Sequence, residues 1–295
     1  MDVSIIIVNY NTCQMTKECI DSVFERTFGL DFEIILVDNG STDGSKSQFE
    51  KDSRITYVYS EFNLGFGCAN NLGYKFAKGD YVFLLNSDTI LVNNAVYELW
   101  NFMRSHSGIS ISGGQLVDDN MLNIHSYSLI LPSLRQELNV LLRGVLVYKN
   151  KREFLKSVKE YGYARVAYIT GADMMLCRKV IDELGFFDPD FFMYYEETEL
   201  TYRYVRKGFV SAFYPNAVIK HLVGKSFSFK KERERLFFES RRLYYKKIGY
   251  SFPLYAICNI VYFLYLLTSM FNSLLKQDLS NFKFTFLKIK VFCKL

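Results

Sequence analysis

The first ninety residues alternate between apolar runs and polar turns. Val3-Ser-Ile-Ile-Ile-Val8 ends in Asn9-Tyr10-Asn11, Phe32-Glu-Ile-Ile-Leu-Val37 ends in Asp38-Asn39-Gly40-Ser41, and Asp80-Tyr-Val-Phe-Leu-Leu85 ends in Asn86-Ser87-Asp88. Continuous apolar runs of this length suit strands buried on both faces of a parallel sheet. The spacing predicts strands at 3–8, 33–37, 55–59 and 81–85. It predicts helices from about Thr12 to before Gly29, over 43–51 and over 66–77. Repeated strand–helix units imply a mostly parallel sheet flanked by helices on both faces. Ligands of such sheets bind beyond the carboxyl ends of the strands, so Asp38 and Asp88 are expected near one crevice although 50 positions separate them.

Further along, Asn93 is a candidate cap for a helix over 94–104. Residues 113–165 contain short strands and a Leu/Arg-rich segment, Leu134–Lys156, that the pattern does not place. Tyr168–Arg178 reads as a strand, 179–184 and Glu196–Lys207 as helices with Gly208 closing the second, and 209–219 as a strand with His221 just beyond it. Lys230–Lys247 reads as a charged helix. Residues 251–275 carry no formal charge, and residues 282–294 interleave apolar residues with lysines.

Charge divides the chain unevenly. Residues 220–295 hold 15 Lys and Arg against 4 acids, whereas residues 1–219 hold 21 against 27. An acidic body and a basic, aromatic extension suggest a cation site in the one and an anionic surface beside the other. The six cysteines form no CxxC pair and there are three histidines, which argues against a zinc cluster and a disulfide framework. No basic-then-apolar leader opens the sequence, and a cytoplasmic body is expected. The 25 uncharged residues exceed the ~20 needed to span a bilayer. They include Pro253, Asn259 and Asn272 and have basic flanks on both sides, so a span, an in-plane segment and a protein-packed helix pair all remain open.

Several motifs carry candidate chemistry. Asp38–Ser45 offers a carboxylate and glycines for a base or ribose, or merely a strand-to-helix turn. Asn63–Gly73 offers backbone N–H groups and the amides of Asn63 and Asn70 around Gly67, or merely a loop and close helix packing. Asn86-Ser87-Asp88 is a candidate Mg²⁺ or Mn²⁺ turn, the rest of the shell coming from a diphosphate. Glu196, Glu197 and Glu199 crowd a helix start; the helix dipole explains them, and so does a general base of raised proton affinity. Arg203, Arg206, Lys225, Lys230 and Lys231 are candidate phosphate partners.

Seven segments, Val3–Asn11, Asp38–Ser45, Asn63–Gly73, Asn86–Asp88, Gly171–Arg178, Phe187–Arg203 and His221, occur in the order seen in inverting family 2 glycosyltransferases. Over roughly residues 1–245 the chain resembles the rhamnosyltransferase branch that acts on bacterial surface polysaccharides. The resemblance implies a GT-A, Rossmann-like fold, taken over residues 1–229, while composition suggests that 230–295 form a helical, membrane-associating extension. The resemblance also implies a nucleotide-sugar donor, dTDP- or UDP-linked, and a divalent cation. Asn9, Asn11, Asp38, Asn63, Gly67, Asn70, Asn86 and Arg203 would then face the donor, and Asp88 and His221 the metal. In the family pattern Phe-Phe-x-Tyr-x-Glu-Asp-x-Asp-Leu-x-x-Arg, Glu197 stands in the place of the catalytic Asp, with Glu196 the alternative base. Ser87 stands where many relatives have Pro, and Asn86 where other GT-A enzymes often have Asp. Trp100 is the single tryptophan, so the Gln-x-x-Arg-Trp motif of processive relatives is missing and transfer of one sugar is implied. The acceptor would be a glycan or lipid-linked glycan at the cytoplasmic face of the cell membrane, reached through an anionic membrane surface, with no nucleic acid involved. The competing readings are a nucleotidyltransferase, which would have a basic Gly-rich loop in place of Asn9-Tyr10-Asn11-Thr12, and a binding module that has lost catalysis.

Overall fold

The computed structural model describes residues 1–222 and 230–294. Its first half follows the sequence pattern closely. Strands β1 (Val3–Asn9), β2 (Phe32–Asn39), β3 (Thr56–Ser60) and β4 (Tyr81–Asn86) alternate with helices α1 (Cys13–Arg26), α2 (Ser45–Phe49) and α3 (Phe66–Tyr74). These strands pair in parallel in the order β3-β2-β1-β4. Successive residues of β1 face opposite layers. Ile5 and Ile7 join a core with α1 and α4 (Ala95–Ser105), and Ile6 joins a second core with Ala69 of α3 and Leu200. Two-sided burial is what the unbroken apolar runs encode.

The second half is less regular. A three-residue strand β5 (Thr89–Leu91) follows the Ser87-Asp88 turn, and β6 (Ile109–Val117) follows α4. A short strand β7 (Tyr127–Ser128) precedes α5 (Leu134–Leu141) and α6 (Tyr148–Tyr161), the two helices that make up the unplaced Leu134–Lys156 segment. Ser133 starts α5 by accepting a hydrogen bond from the Gln136 amide, and Gly144, at φ 91°, breaks the chain between the helices. The expected strand Tyr168–Arg178 is interrupted at Thr170-Gly171-Ala172. Beyond β8 (Ala164–Val166), β9 (Tyr168–Ile169) pairs with β7, while β10 (Asp173–Cys177) inserts antiparallel between β4 and β6. Helices α7 (Arg178–Leu184) and α8 (Glu196–Arg206) lead to β11 (Val210–His221), parallel to β6 and antiparallel to β5. Two expectations are corrected here. His221 is the last residue of β11, paired with Thr89, and does not lie beyond the strand. Asn94 rather than Asn93 precedes α4; Asn93 instead accepts from the Val218 amide and donates to the Asn216 carbonyl, tying β11 down.

Three helices complete the described chain: α9 (Lys230–Lys247), α10 (Phe252–Leu275) and α11 (Leu279–Phe292). Tyr244, Tyr245 and Cys258 form a third small core with Phe191, just ahead of α8. Arg241 is 1% exposed and is one of the largest fully buried side chains. Its Nε and a terminal nitrogen donate to Glu137 of α5, its other terminal nitrogen donates to Asn259, and Tyr245 adds a third bond to the same Glu137 oxygen. Such a pair specifies how the helices sit, since removing either partner would leave a buried charge.

Candidate functional site

An open cleft of about 830 Å³ lies at the carboxyl end of β4. Its walls come from distant parts of the chain: Asn86 at the end of β4 and Asp88 just after it, the Thr170-Gly171-Ala172 turn before β10, Tyr194, Glu196 and Glu197 at the start of α8, His221 at the end of β11, and Arg233 of α9. Strand order explains the meeting. β5 pairs with β11, so Asp88, the residue before β5, lies beside His221, and the Asp88 carbonyl accepts from the Leu222 amide. His221 Nε2 is 3.2 Å from Asp88 Oδ1.

The opposite wall is acidic and strained. Tyr194 and Tyr195 precede α8 with φ of 70° and 66°, a left-handed conformation costly for non-glycine residues. Packing enforces it, because Tyr195 lies against the rings of Phe237 and Tyr244 of α9. The turn sets two adjacent carboxyls at the helix start. Glu196 is buried, and its Oε2 has no hydrogen-bond partner. Burial, and then the charge of Glu197, push its carboxyl well above the usual range. Burial raises Glu197 to about 7, opposed by amide hydrogen bonds at the helix start. The pair therefore holds one easily exchanged proton near neutrality.

Loop packing places that turn. Gly65, at φ 80°, lies so close to Phe192 that a β-carbon would sit 2.1 Å from its carbonyl oxygen, which accepts from the Phe66 amide. A β-carbon on Gly67 would meet Phe187 at 3.1 Å and Glu196 at 3.6 Å. Gly65 and Gly67 thus serve close approach of α3 to the segment that leads into α8, and Gly73 close approach of α3 to Ile6 and Val37 of the sheet, as in the packing alternative of the sequence reading.

Of the expected site residues, Asn86, Asp88, Glu196, Glu197 and His221 share the cleft. Asn9, Asn11, Asp38, Asn63, Gly67, Asn70 and Arg203 do not line it. Buried Asn9 accepts through Oδ1 from the Thr12 amide and the Thr12 and Thr16 hydroxyls. Asn11 accepts from Thr42, and Asp38 from the Tyr57 hydroxyl and the Ser41 amide. These bonds staple the turns after β1 and β2 together. Asn63 bonds Asn39 and the Gly65 amide, and Asn70 donates to the Phe66 carbonyl within its own helix. Arg203 has the densest set of local partners among these residues. It binds Glu199 one turn back and donates to the carbonyls of Leu184, Gly185 and Phe186, so its guanidinium tethers the α7–α8 connection rather than facing a phosphate. Lys225 lies outside the described residues. Sequence reasoning missed Asp118, Asp119, His125 and Arg233, all in the cleft wall. Burial lowers the His125 imidazole, favouring its neutral form. Arg233 showed only as one charge in a basic helix; its signal was its place in the first turn.

No group of three or more His, Cys, Asp or Glu able to hold a metal occurs among the described residues. The cleft supplies Asp88, His221 and the Asn86 amide, an oxygen-and-imidazole set that would fit a hard divalent cation if a diphosphate completed its shell.

The model of glycosyl transferase family 2 matches residues 4–185. The chain is 27% identical over 208 residues to the low-salt glycan biosynthesis hexosyltransferase Agl10 of Haloferax volcanii, covering 68% of this chain and 61% of that protein. It is 33% identical over 112 residues to the poly(ribitol-phosphate) beta-glucosyltransferase of Bacillus spizizenii, covering 36% and 18% respectively. The chain thus spans less than two thirds of the length of either relative. Among solved structures it is similar to GalNAc-T7 with UDP, GalNAc and Mn²⁺, at a TM-score of 0.59 and 18% identity, over 80% of this chain and 47% of that one. That likeness shows a shared GT-A-like fold: a central mixed sheet flanked by helices.

Proposed function

The chain belongs to glycosyl transferase family 2, and on that premise we propose that it moves one sugar from a nucleotide-sugar donor to a hydroxyl of a glycan or lipid-linked glycan, with inversion. The observation that carries this reading is the cleft whose walls include Asp88 and His221 together with buried Glu196 and half-buried Glu197. A divalent cation at Asp88 and His221 would neutralise charge on a departing diphosphate. Arg233 stands in the same cleft as a further cation for that phosphate. Glu197 acts as the base: near neutrality its carboxylate takes the proton of the acceptor hydroxyl. The freed oxygen attacks the anomeric carbon, the carbon–oxygen bond to the diphosphate breaks, and the nucleoside diphosphate leaves with the electron pair. Glu196 stays protonated beside Glu197, so the pair carries one negative charge before the proton is taken and none after it. The glycosyl centre passes through an oxocarbenium-like state, as in glycoside cleavage.

The donor is dTDP-rhamnose or a UDP-sugar; the resemblance favours the first, and the UDP and Mn²⁺ of GalNAc-T7 support the second and the metal. The glycan biosynthesis named for one relative and the poly(ribitol-phosphate) named for another support a role in surface polysaccharide synthesis. Residues 1–229 form the catalytic body in this reading, and 230–295 hold it at the cytoplasmic membrane face. The test is a panel of nucleotide sugars, each incubated with Mn²⁺, Mg²⁺ or EDTA, with nucleoside diphosphate release as readout. One donor turned over only with metal is the expected result. Donor binding without turnover in the presence of metal and acceptor extract would favour a catalytically impaired binding module.

A further inference from the structure

We propose that α10 lies flat in an anionic lipid leaflet, its outer face immersed and its inner face packed on the protein, so that the chain is held at one surface and does not cross the bilayer. This rests on the membrane-facing part of the functional reading and decides what that part leaves open. At 24 residues α10 is about 36 Å long, enough to cross a hydrocarbon core of about 30 Å. Its surroundings argue against crossing.

Ile257, Ile260, Leu264, Leu267, Phe271 and Leu274 recur at three- and four-residue steps and are all exposed, Ile260 and Phe271 at 60%. They form one narrow apolar stripe along the helix. The opposite side is occupied throughout. Cys258, Val261, Leu266 and Ser273 are buried there. Asn259 accepts from Arg241 of α9 near one end, and Ser273 accepts from Asn281 of α11 near the other. Phe292 of α11 packs on Tyr262 and Phe263, so α11 runs antiparallel beside the middle of α10. A span would therefore carry Lys283, Lys288 and Lys290 of α11, with the buried Arg241–Glu137 pair, into the hydrocarbon. A helix lying in the interface immerses the stripe alone.

Charge selects the lipid. From Ser251 onward the only acid is Asp278, against lysines at 276, 283, 288, 290 and 294. An apolar stripe beside a lysine-rich helix matches an anionic leaflet, where stripe burial and headgroup attraction act together.

Flotation of the full chain with phosphatidylglycerol-containing vesicles, and with pure phosphatidylcholine vesicles, tests this, together with alkaline carbonate extraction. Binding to the anionic vesicles, weakened by salt and reversed by carbonate, is expected. The double substitution Leu264→Glu with Phe271→Glu, on exposed positions, should lower the bound fraction about tenfold without altering the far-ultraviolet spectrum. Lys283→Glu with Lys290→Glu should do so with anionic vesicles only. Resistance to carbonate would overturn the proposal in favour of a span. Absence of flotation would overturn it outright. A dimer in light scattering that Leu264→Glu and Phe271→Glu dissolve, without flotation, would assign the stripe to a second copy. Nucleoside diphosphate release measured without vesicles reports on the catalytic reading separately.

Discussion

The turns after β1 and β2 and the turn before α8 treat their polar groups in opposite ways. Around Asn9, Asn11, Asp38 and Asp43 nearly every side-chain oxygen accepts from a neighbouring amide or hydroxyl, and Asp43 even caps the Cys13 amide of α1. Before α8, two tyrosines hold left-handed backbone, and a buried carboxyl oxygen of Glu196 lacks a partner. The first region has satisfied its polar groups in a rigid frame, and its one left-handed non-glycine residue, Asn11 at φ 54°, is of a type that tolerates that conformation. The second keeps strain and an unstable charge, held there by Phe237, Tyr244 and the close approach of Gly65. Strain and unsatisfied acids persist only where the surroundings enforce them, and their meeting in an open cleft is what supports the second region as the proposed place of chemistry.

Four experiments can break this contrast. Glu197→Gln should lower sugar transfer by ~10² to 10⁴-fold while leaving donor binding in place; unchanged transfer would move the base elsewhere. Asp88→Ala should cost roughly 10²-fold in metal-dependent turnover, since it removes an anionic ligand from charge stabilisation worth several kcal/mol; a loss independent of metal concentration would point to folding instead. The acidic limb of the rate profile should fall near pH 7, because acidification protonates Glu197, and a limb near the ordinary glutamate value of 4.5 would contradict its burial. Arg203→Ala should cost about 2 kcal/mol of stability through lost charge-assisted bonds and leave the donor KM unchanged; a raised donor KM at unchanged stability would return Arg203 to the donor site.

Stability should respond to pH with the opposite sign. Glu196 and Glu197 have folded values above the unfolded 4.5, so the stability they contribute is full below that pH and is lost as pH rises through their folded values. Glu196→Gln removes its share of that loss. Its melting temperature should rise relative to wild type at neutral pH and approach it in acid.

The β1–β4 half was legible because strands buried on both faces write themselves as unbroken apolar runs. The insertion of β10 between β4 and β6 was not, since Gly171-Ala172 inside an apolar stretch marks an interruption but not a reversal of direction. β5 is three residues long and left no periodic signal, yet its pairing with β11 is what brings Asp88 to His221. The α5–α6 region hid behind leucines that continue across the Gly144 break, although Ser133 and Gln136 carried the start signal. Acids and a histidine in the cleft were found by motif order. Arg203 and Asn70 lie outside the cleft lining, and each has a local partner within one helical turn, a feature that motif order does not carry.

The central claim is that Glu197 removes the acceptor proton opposite a metal held by Asp88 and His221. The most direct measurement compares sugar transfer by the full chain and by Glu197→Gln across pH, with Mn²⁺ and with EDTA. The account predicts wild-type transfer that rises toward a plateau above about pH 7 and stops with EDTA, and a Glu197→Gln variant that binds donor but is nearly inactive at every pH. Wild-type transfer rates in that variant, with the same acidic limb, would contradict it.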